Sequence, residues 1–344
     1  MPKFRVALTA DMHDEAGTPK FKDMGIDVLA NEPKVEYAPF AEHRPVIGAD
    51  QLEGFNGVLV LTPAVNAASL EGAADLLSIA RYGVGYDGVD VPACTAADVL
   101  LTVTKGCPDG PVAEATIGWM IALTHHFKAK DRLVREGKWD DRPDYMGCEL
   151  RDRTFGTIGL GGISSEAIRR LEVFNMNPAI AYDPYANPAI AEKIGVELVE
   201  LDELLRRSDF VSVHCPLTPE TKDLIGEREL GLLKPGSYVI NAGRGGIVNE
   251  DALYNALESG VLGGAAMDCF EVEPGDGPSR FGKFENVMMA PHAIAWTDEL
   301  FRDMGRSACQ GMVDLANGKA PFGIINPEVL DSPGFQAKWD KVKS

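Results

Sequence analysis

The sequence predicts an α/β protein of two domains, each built on a parallel sheet. Three observations carry that expectation. Short apolar, β-branched runs alternate with helical patterns along the chain, as in successive βαβ units. A glycine-rich turn joins one such run to the helix after it. The 344 residues also suit two domains of roughly 150 residues each.

The alternation is clearest between residues 155 and 291. Strands are expected at 156–160, 179–182, 210–214, 238–241, 265–268 and 287–290, with helices at 165–174, 201–206, 228–233 and 250–259. Gly260 can stop the fourth helix, and Gly263-Gly264 can turn the chain beyond it. About six strands with connecting helices make a doubly wound sheet. The alternation before this region is weaker. Strands at 4–10, 58–61 and 78–81, with a helical pattern at 67–76, indicate a smaller, flavodoxin-like α/β domain. Asp109-Gly110-Pro111 opens a long helix running through His126. Pro111 lacks an N–H that the first turn leaves unused, and Glu114 suits the positive end of the helix dipole. A last helix at 298–317 follows the final strand and returns to the smaller domain. The expected division is 1–104 with 296–344, a domain formed by both chain ends, and 105–295.

Composition excludes several function classes. Apolar residues make up 45%, enough for a sizeable core. Fifty-two acidic against 33 basic residues leave a formal charge of −19, and no Lys/Arg-rich stretch interrupts it. Such a surface repels a phosphate backbone, so no nucleic-acid partner is expected. The N-terminus lacks the long apolar core of a secretion signal, and the apolar stretch 112–123 is too short to span a bilayer. A cytoplasmic, soluble protein without a membrane partner is the expectation. The six cysteines are scattered without a Cys-x-x-Cys pair and read as unpaired thiols. No His-Glu-x-x-His motif or Cys/His cluster points to a metal, and no Gly-x-Ser-x-Gly elbow is present.

The glycine-rich turn is the first site signal. In Gly159-Leu160-Gly161-Gly162-Ile163-Ser164, Gly159 permits a tight turn, and Gly161 lets the backbone approach a pyrophosphate at a helix N-terminus. Ser164 stands where a third glycine would allow close helix–strand packing, which weakens the match. The competing reading is a purely structural turn. Context favours a Rossmann-type site, because a strand ends in Asp183, where a carboxylate can hold a ribose 2′-OH and repel a 2′-phosphate. NAD is therefore the expected cofactor. The alternative for Asp183 is a solvated Asp-Pro turn with Pro184.

Three further residues follow strand ends: Arg244 after 238–241, Glu273 after 265–268 and His292 after 287–290. Loops at the carboxyl ends of a parallel sheet line its ligand crevice. The trio suits reduction of a 2-keto acid. The alkoxide left by hydride transfer needs a general acid near neutral pH, the part of His292. A carboxylate, Glu273, favours the imidazolium and fixes its orientation. The planar fork of Arg244 can bind the substrate carboxylate and polarise the keto oxygen. Singly, each has a bland reading: a surface ion-pair partner, a solvated acid competing with Glu271, a packed loop histidine. On three successive strand ends the set favours chemistry. His125 and His126 are adjacent on a helix and face different ways, so they read as structural. His214 ends a strand beside the cleft.

With these residues in place, the chain resembles the D-isomer-specific 2-hydroxyacid dehydrogenases, most clearly from residue 76 to 317. The matching stretches are Arg81-Tyr82-Gly83-Val84-Gly85-Tyr86-Asp87, Val112-Ala113-Glu114, Gly159–Ser164, Tyr182-Asp183-Pro184-Tyr185 and His214-Cys215-Pro216-Leu217-Thr218-Pro219-Glu220-Thr221. They continue through Asn241–Gly246, Met267-Asp268 with Glu273-Pro274, and Pro291-His292. The resemblance implies Arg244, Glu273 and His292 as the catalytic set. It implies a cofactor site of Gly159, Gly161, Gly162, Ile163, Asp183, His214, Cys215, Pro216, Thr221, Ala242, Gly243 and Asp268, the last meeting the carboxamide. Tyr82, Gly83 and Val84, with Arg244, His292 and Trp296, are the implied contacts of a small 2-hydroxy or 2-keto acid. A homodimer is implied too, with residues about 127–150 as its arm.

Departures bear on the substrate. Ile294-Ala295-Trp296 stands where the family commonly carries a small pair such as Gly-Gly, and Gly88 replaces a frequent asparagine. The sequence stops soon after its last helix, without the regulatory extension of many phosphoglycerate dehydrogenases. A formate-type enzyme of the same fold should lack a carboxylate at the position of Glu273. The alternative of a different class is an NAD-sensing, corepressor-like binding protein. Turnover of a keto acid, set against dinucleotide-dependent oligomerisation, separates it from an enzyme.

Overall fold

The computed structural model describes residues 3–14 and 16–343. It divides into two compact units, Met1–Pro108 with Trp296–Ser344, and Asp109–Ala295. In the first unit, β1 (Phe4–Leu8), β2 (Val35–Pro39), β3 (Gly57–Val60), β4 (Ser78–Arg81) and β5 (Leu100–Val103) form a parallel sheet in the order β2-β1-β3-β4-β5. That is the flavodoxin-like order. The inner strands β3 and β4 bury Val58, Val60 and Ile79, as expected where helices cover both faces. β2 lies at the edge, buries only Val35 and ends at Pro39, a residue that edge strands tolerate. It shows little alternation, which is why the sequence did not reveal it. The C-terminal helix Asp298–Ala316 starts at Thr297, whose side chain accepts the Leu300 N–H at 3.1 Å. Its Gly305 lies against the Met24 carbonyl, where a Cβ would come within 1.8 Å.

Two expectations need correction. The helical pattern at 67–76 yields only a short 3-10 turn, Ala68–Leu70, and Gly72 soon follows at φ 78°. The long helix begins at Asp109, two residues before Pro111, and stops at Thr124. The Thr124 carbonyl accepts the Cys148 N–H at 2.9 Å instead of extending the helical ladder. His126 then turns left-handed at φ 54°, and a second helix, Phe127–Glu136, begins.

In the second unit, β6 (Phe155–Ile158), β7 (Ile180–Tyr182), β8 (Glu197–Leu198), β9 (Phe210–Val213), β10 (Tyr238–Asn241), β11 (Gly264–Met267) and β12 (Val287–Met289) make a seven-stranded parallel sheet. The order is β12-β11-β10-β9-β6-β7-β8. Six of these strands are the expected ones. The seventh, β8, is two residues long and too short to announce itself. Side chains alternate across the sheet. Val211, Val239 and Ala265 join one core cluster with Leu204, Leu230 and Leu253. Phe210, Tyr238, Ile240 and Ala266 join the other, with Ile117, Met120 and Ile168 of the helices Asp109–Thr124 and Gly162–Leu171. The chain winds outward in both directions from neighbouring β6 and β9. Ligands of such sheets bind at that switch point, beyond the strands' carboxyl ends.

Candidate active site

The glycine loop leaves β6 at the switch point. Gly159 has φ 89°, and a Cβ there would meet the backbone of His214 and Cys215, which follow β9, at 3.1 Å. Only glycine allows both the turn and this approach. Ser164 is fully buried. Its Oγ donates to the Gly159 carbonyl at 2.7 Å and lies 2.9 Å from Thr157 Oγ1. The serine thus ties the helix to the loop, and its departure from glycine costs no unsatisfied hydroxyl. Gly161 precedes the helix Gly162–Leu171 without a side-chain cap. Asp183 Oδ2 accepts the Leu160 N–H at 2.8 Å, and its Oδ1 accepts the Tyr185 N–H at 2.8 Å. Both oxygens keep lone pairs for a further donor.

These residues fit a dinucleotide. A Cβ on Gly161 would meet nothing within 4 Å, so the backbone there is open to a ligand. His214 adds an orphaned polar atom at the switch point. Its Nε2 pairs with Ser212 Oγ at 2.7 Å, while the buried Nδ1 has no hydrogen-bond partner among the described residues. Burial lowers this imidazole to about 4, so it is neutral at physiological pH. Burial also pushes the Cys215 thiol up to about 11. The Asp109 carboxylate reaches the same helix N-terminus, close enough that a Cβ on Gly162 would collide with it. A carboxylate suits the positive end of a helix dipole. Sequence reasoning did not single out this aspartate. Ile163 is half-buried in the helix's first turn.

The candidate reacting groups lie at the ends of β10, β11 and β12. His292 Nδ1 donates to Glu273 Oε2 at 2.7 Å, and the Phe270 N–H donates to Glu273 Oε1 at 2.7 Å. Partial burial raises the Glu273 carboxyl, but these two bonds and the charges of His292 and Arg244 outweigh it and hold the group below its ordinary value. Glu273 is therefore an ionised acceptor, so Nδ1 carries the proton and Nε2 is left to exchange one. His292 itself is left-handed, at φ 53°. Non-glycine residues in such conformations persist where neighbours over-determine them. Here the His292 N–H donates to the Asp268 carbonyl at 2.8 Å, and Asp268 Oδ1 accepts from Ala293 and Ile294 at 2.8 and 3.1 Å. Burial raises the Asp268 carboxyl, partly offset by those N–H donors.

Arg244 follows β10. Its Nη1 donates to the Gly243 carbonyl at 2.7 Å, and buried Asn241 donates to the Arg244 carbonyl at 2.9 Å. Gly245 sits so close to the Phe270 carbonyl that a Cβ would come within 1.8 Å, which packs this loop against the one carrying Glu273. Gly243 likewise lies against the Cys215 carbonyl, with half-buried Ala242 beside it. The competitor Glu271 is engaged elsewhere, accepting the Glu250 N–H at 3.1 Å where a helix begins. Thr221 spends its hydroxyl on the Pro216 carbonyl at 2.7 Å, closing the 216–221 turn. Sequence reasoning missed Cys269. Its Sγ donates to the Gly243 carbonyl at 3.3 Å and lies near both Glu273 and His292. Its place directly after Asp268 was the available signal.

The other named residues lie in the first unit. Tyr82 is buried, and its hydroxyl donates to the Met24 carbonyl, so that side chain has a structural partner. Gly83, at φ 130°, donates its N–H to Thr104 Oγ1 at 3.0 Å, and Val84 is half-buried beside it. Trp296 is half-exposed and packs edge-on against Phe21 and Phe301, with centroids 5.7 and 5.0 Å away.

Residues 117–293 match the family model described as "D-isomer specific 2-hydroxyacid dehydrogenase, NAD binding domain". A glyoxylate reductase of Thermofilum pendens is 35% identical over 310 residues, 88% of this chain and 89% of that protein. A D-3-phosphoglycerate dehydrogenase of Archaeoglobus fulgidus is 38% identical over 272 residues, 79% of this chain. The match spans only 51% of that longer relative. Among solved structures, the apo D-mandelate dehydrogenase of Rhodotorula graminis superposes with a TM-score of 0.80 at 25% identity, covering 94% of this chain and 98% of that one.

Proposed function

The chain belongs to the D-isomer specific 2-hydroxyacid dehydrogenases, NAD-dependent oxidoreductases, and from that premise we propose that it interconverts a small 2-hydroxy acid and its 2-keto acid through His292, Glu273 and Arg244. The observation that carries this reading is the 2.7 Å pair between His292 Nδ1 and Glu273 Oε2. NAD, when bound, supplies or accepts the hydride. His292 Nε2 gives a proton to the oxygen that was the ketone, and in the reverse direction takes it from the alcohol. Glu273 keeps the ring in one tautomer and offsets its positive charge. Arg244 binds the substrate carboxylate with its guanidinium fork and draws electron density onto the keto oxygen. Asp268 works on the loop, since its carboxylate holds the backbone on which His292 stands. The glycine loop with Gly161, Gly162 and Ile163 would take the pyrophosphate, and Asp183 a ribose hydroxyl.

The substrate we favour is unphosphorylated and small, glyoxylate or hydroxypyruvate or a somewhat larger relative. The relative covered almost end to end is named a glyoxylate reductase, which supports that choice. A homodimer joined through the region 127–150 is part of the proposal. Phe127, Val134, Trp139 and Met146 there are all exposed apolar side chains, which supports an interface.

The test is NADH and NADPH oxidation against a panel of 2-keto acids, from glyoxylate to branched and aromatic ones. NADH-linked turnover is expected, falling by about 10²–10⁴-fold in His292→Ala. Tight NADH binding without turnover of any panel member would overturn the reading.

A further inference from the structure

Hydride transfer leaves one reactive group in this site without a task. The proton passes through His292, Glu273 orients it, and Arg244 takes the carboxylate, yet a thiol sits among them. Ligand atoms of Cys269, Glu273 and His292 all lie within 4.8 Å of one another, the one such group of three among the described residues. Cys269 is 2% exposed, whereas the side chains of Glu273 and His292 are 33% and 46% exposed. An ion would enter from the open side and find the sulfur at the base.

The donor set selects the ion. One thiolate, one imidazole and one carboxylate suit a borderline-soft cation far better than Mg²⁺ or Ca²⁺. Zinc binds such atoms at about 2.0–2.3 Å, which places them roughly 3.5 Å apart in a tetrahedron. The most separated pair would need to close by about an ångström, a side-chain adjustment. Three protein ligands leave a fourth position for water, as in an open zinc site.

We propose that Cys269, Glu273 and His292 form a binding site for zinc or a similar divalent cation, and that its occupancy switches the enzyme off. On binding, the thiol proton leaves to solvent and the sulfur becomes a ligand. The imidazole stays neutral: its proton moves from Nδ1 to Nε2 by way of solvent, and the Nδ1 lone pair goes to the ion, so Nε2 no longer has a lone pair with which to accept a proton. The Glu273 carboxylate turns from the ring to the cation. No electron is transferred, and removal of the ion restores the pair. The inhibition rests on the role proposed for His292; the binding does not.

The experiment uses the full chain, as wild type, Cys269→Ala and Cys269→Val, the last keeping the buried volume filled. Co²⁺ titration should give near-ultraviolet thiolate-to-metal absorption in the wild type and none in either variant. Zn²⁺ competition with a chromogenic chelator should show one site per chain, weakened at least about tenfold without the thiol, since even outer-shell partners are worth about 10–100-fold. Keto-acid reduction by the wild type should fall with Zn²⁺ and return with EDTA, while the active variants need at least about tenfold more Zn²⁺. Equal Zn²⁺ sensitivity with and without the thiol, or a Co²⁺ spectrum lacking the thiolate band, would overturn the proposal. If no keto acid is turned over, the Co²⁺ spectrum and chelator competition still decide whether the site exists, so the two readings fail separately.

Discussion

Glu273 shows how a single residue sets the chemistry of its neighbour. Its carboxyl is partly buried, which alone would favour the neutral acid, yet hydrogen bonds from His292 and Phe270 keep it charged. A group lowered in the folded state contributes stability that is present above its unfolded value and lost as the pH falls through the folded one. The pair's contribution is therefore complete above pH 4.5 and disappears below it. Glu273→Gln removes the charge while keeping an acceptor. We expect its kcat to fall by about 10²-fold or more with NADH affinity unchanged. Its urea midpoint should lie below the wild type's at neutral pH, with the gap closing in acid below pH 4.5. Steady-state kinetics, NADH fluorescence titration and urea melts check these outcomes, and a drop in NADH affinity alone would contradict them. Sequence reasoning chose Glu273 and kept Glu271 as its competitor, because spacing alone does not say which acid folds against the helix beginning at Glu250; the structure gives that place to Glu271.

At the scale of elements, the glycine loop carries the most information per residue. Its tight turn is legible because only glycine takes φ 89° without strain. What the sequence did not show is the second reason for Gly159, the backbone of His214 and Cys215 only 3.1 Å from where a Cβ would stand. Gly159→Ala should therefore cost stability of about 1–3 kcal/mol through the left-handed backbone, with more from the crowding. Urea unfolding measures the first effect, and NADH titration should show weakened binding as the loop shifts. An unchanged urea midpoint would mean the turn tolerates a side chain. Ser164 departs from the glycine motif and yet acts as a tie, because a helix one hydrogen bond from the loop can use a hydroxyl as well as close packing. The broken helix at Thr124 was equally hidden. The apolar pattern of the preceding turns carries no sign of the stop, where the distant Cys148 N–H takes the Thr124 carbonyl and His126 turns left-handed.

For the molecule as a whole, a buried neutral histidine adds to the loss of stability in acid. His214 titrates near 6.5 when unfolded and about 4 when folded. Between those values the unfolded chain binds a proton that the folded one does not, so stability falls as the pH drops through that window. His214→Gln, which cannot titrate, should flatten the curve there by up to about 1.4 kcal/mol per pH unit. Urea midpoints at several pH values would show it, and parallel curves for both proteins would refute it. No helix among the described residues is long and apolar enough to cross a membrane. The sequence by itself determined the α/β class, the parallel strands of the larger sheet, the glycine loop and the family. The first three depend on local periodicity or on backbone demands that only certain residues meet, and the family on the resemblance of several ordered motifs. Tertiary structure decided the rest: what engages the competing Glu271, which carbonyl ends a helix, and which thiol lies beside the pair of His292 and Glu273. Such outcomes depend on groups far apart in the chain, whose meeting is fixed by how whole elements pack rather than by any pattern along the sequence.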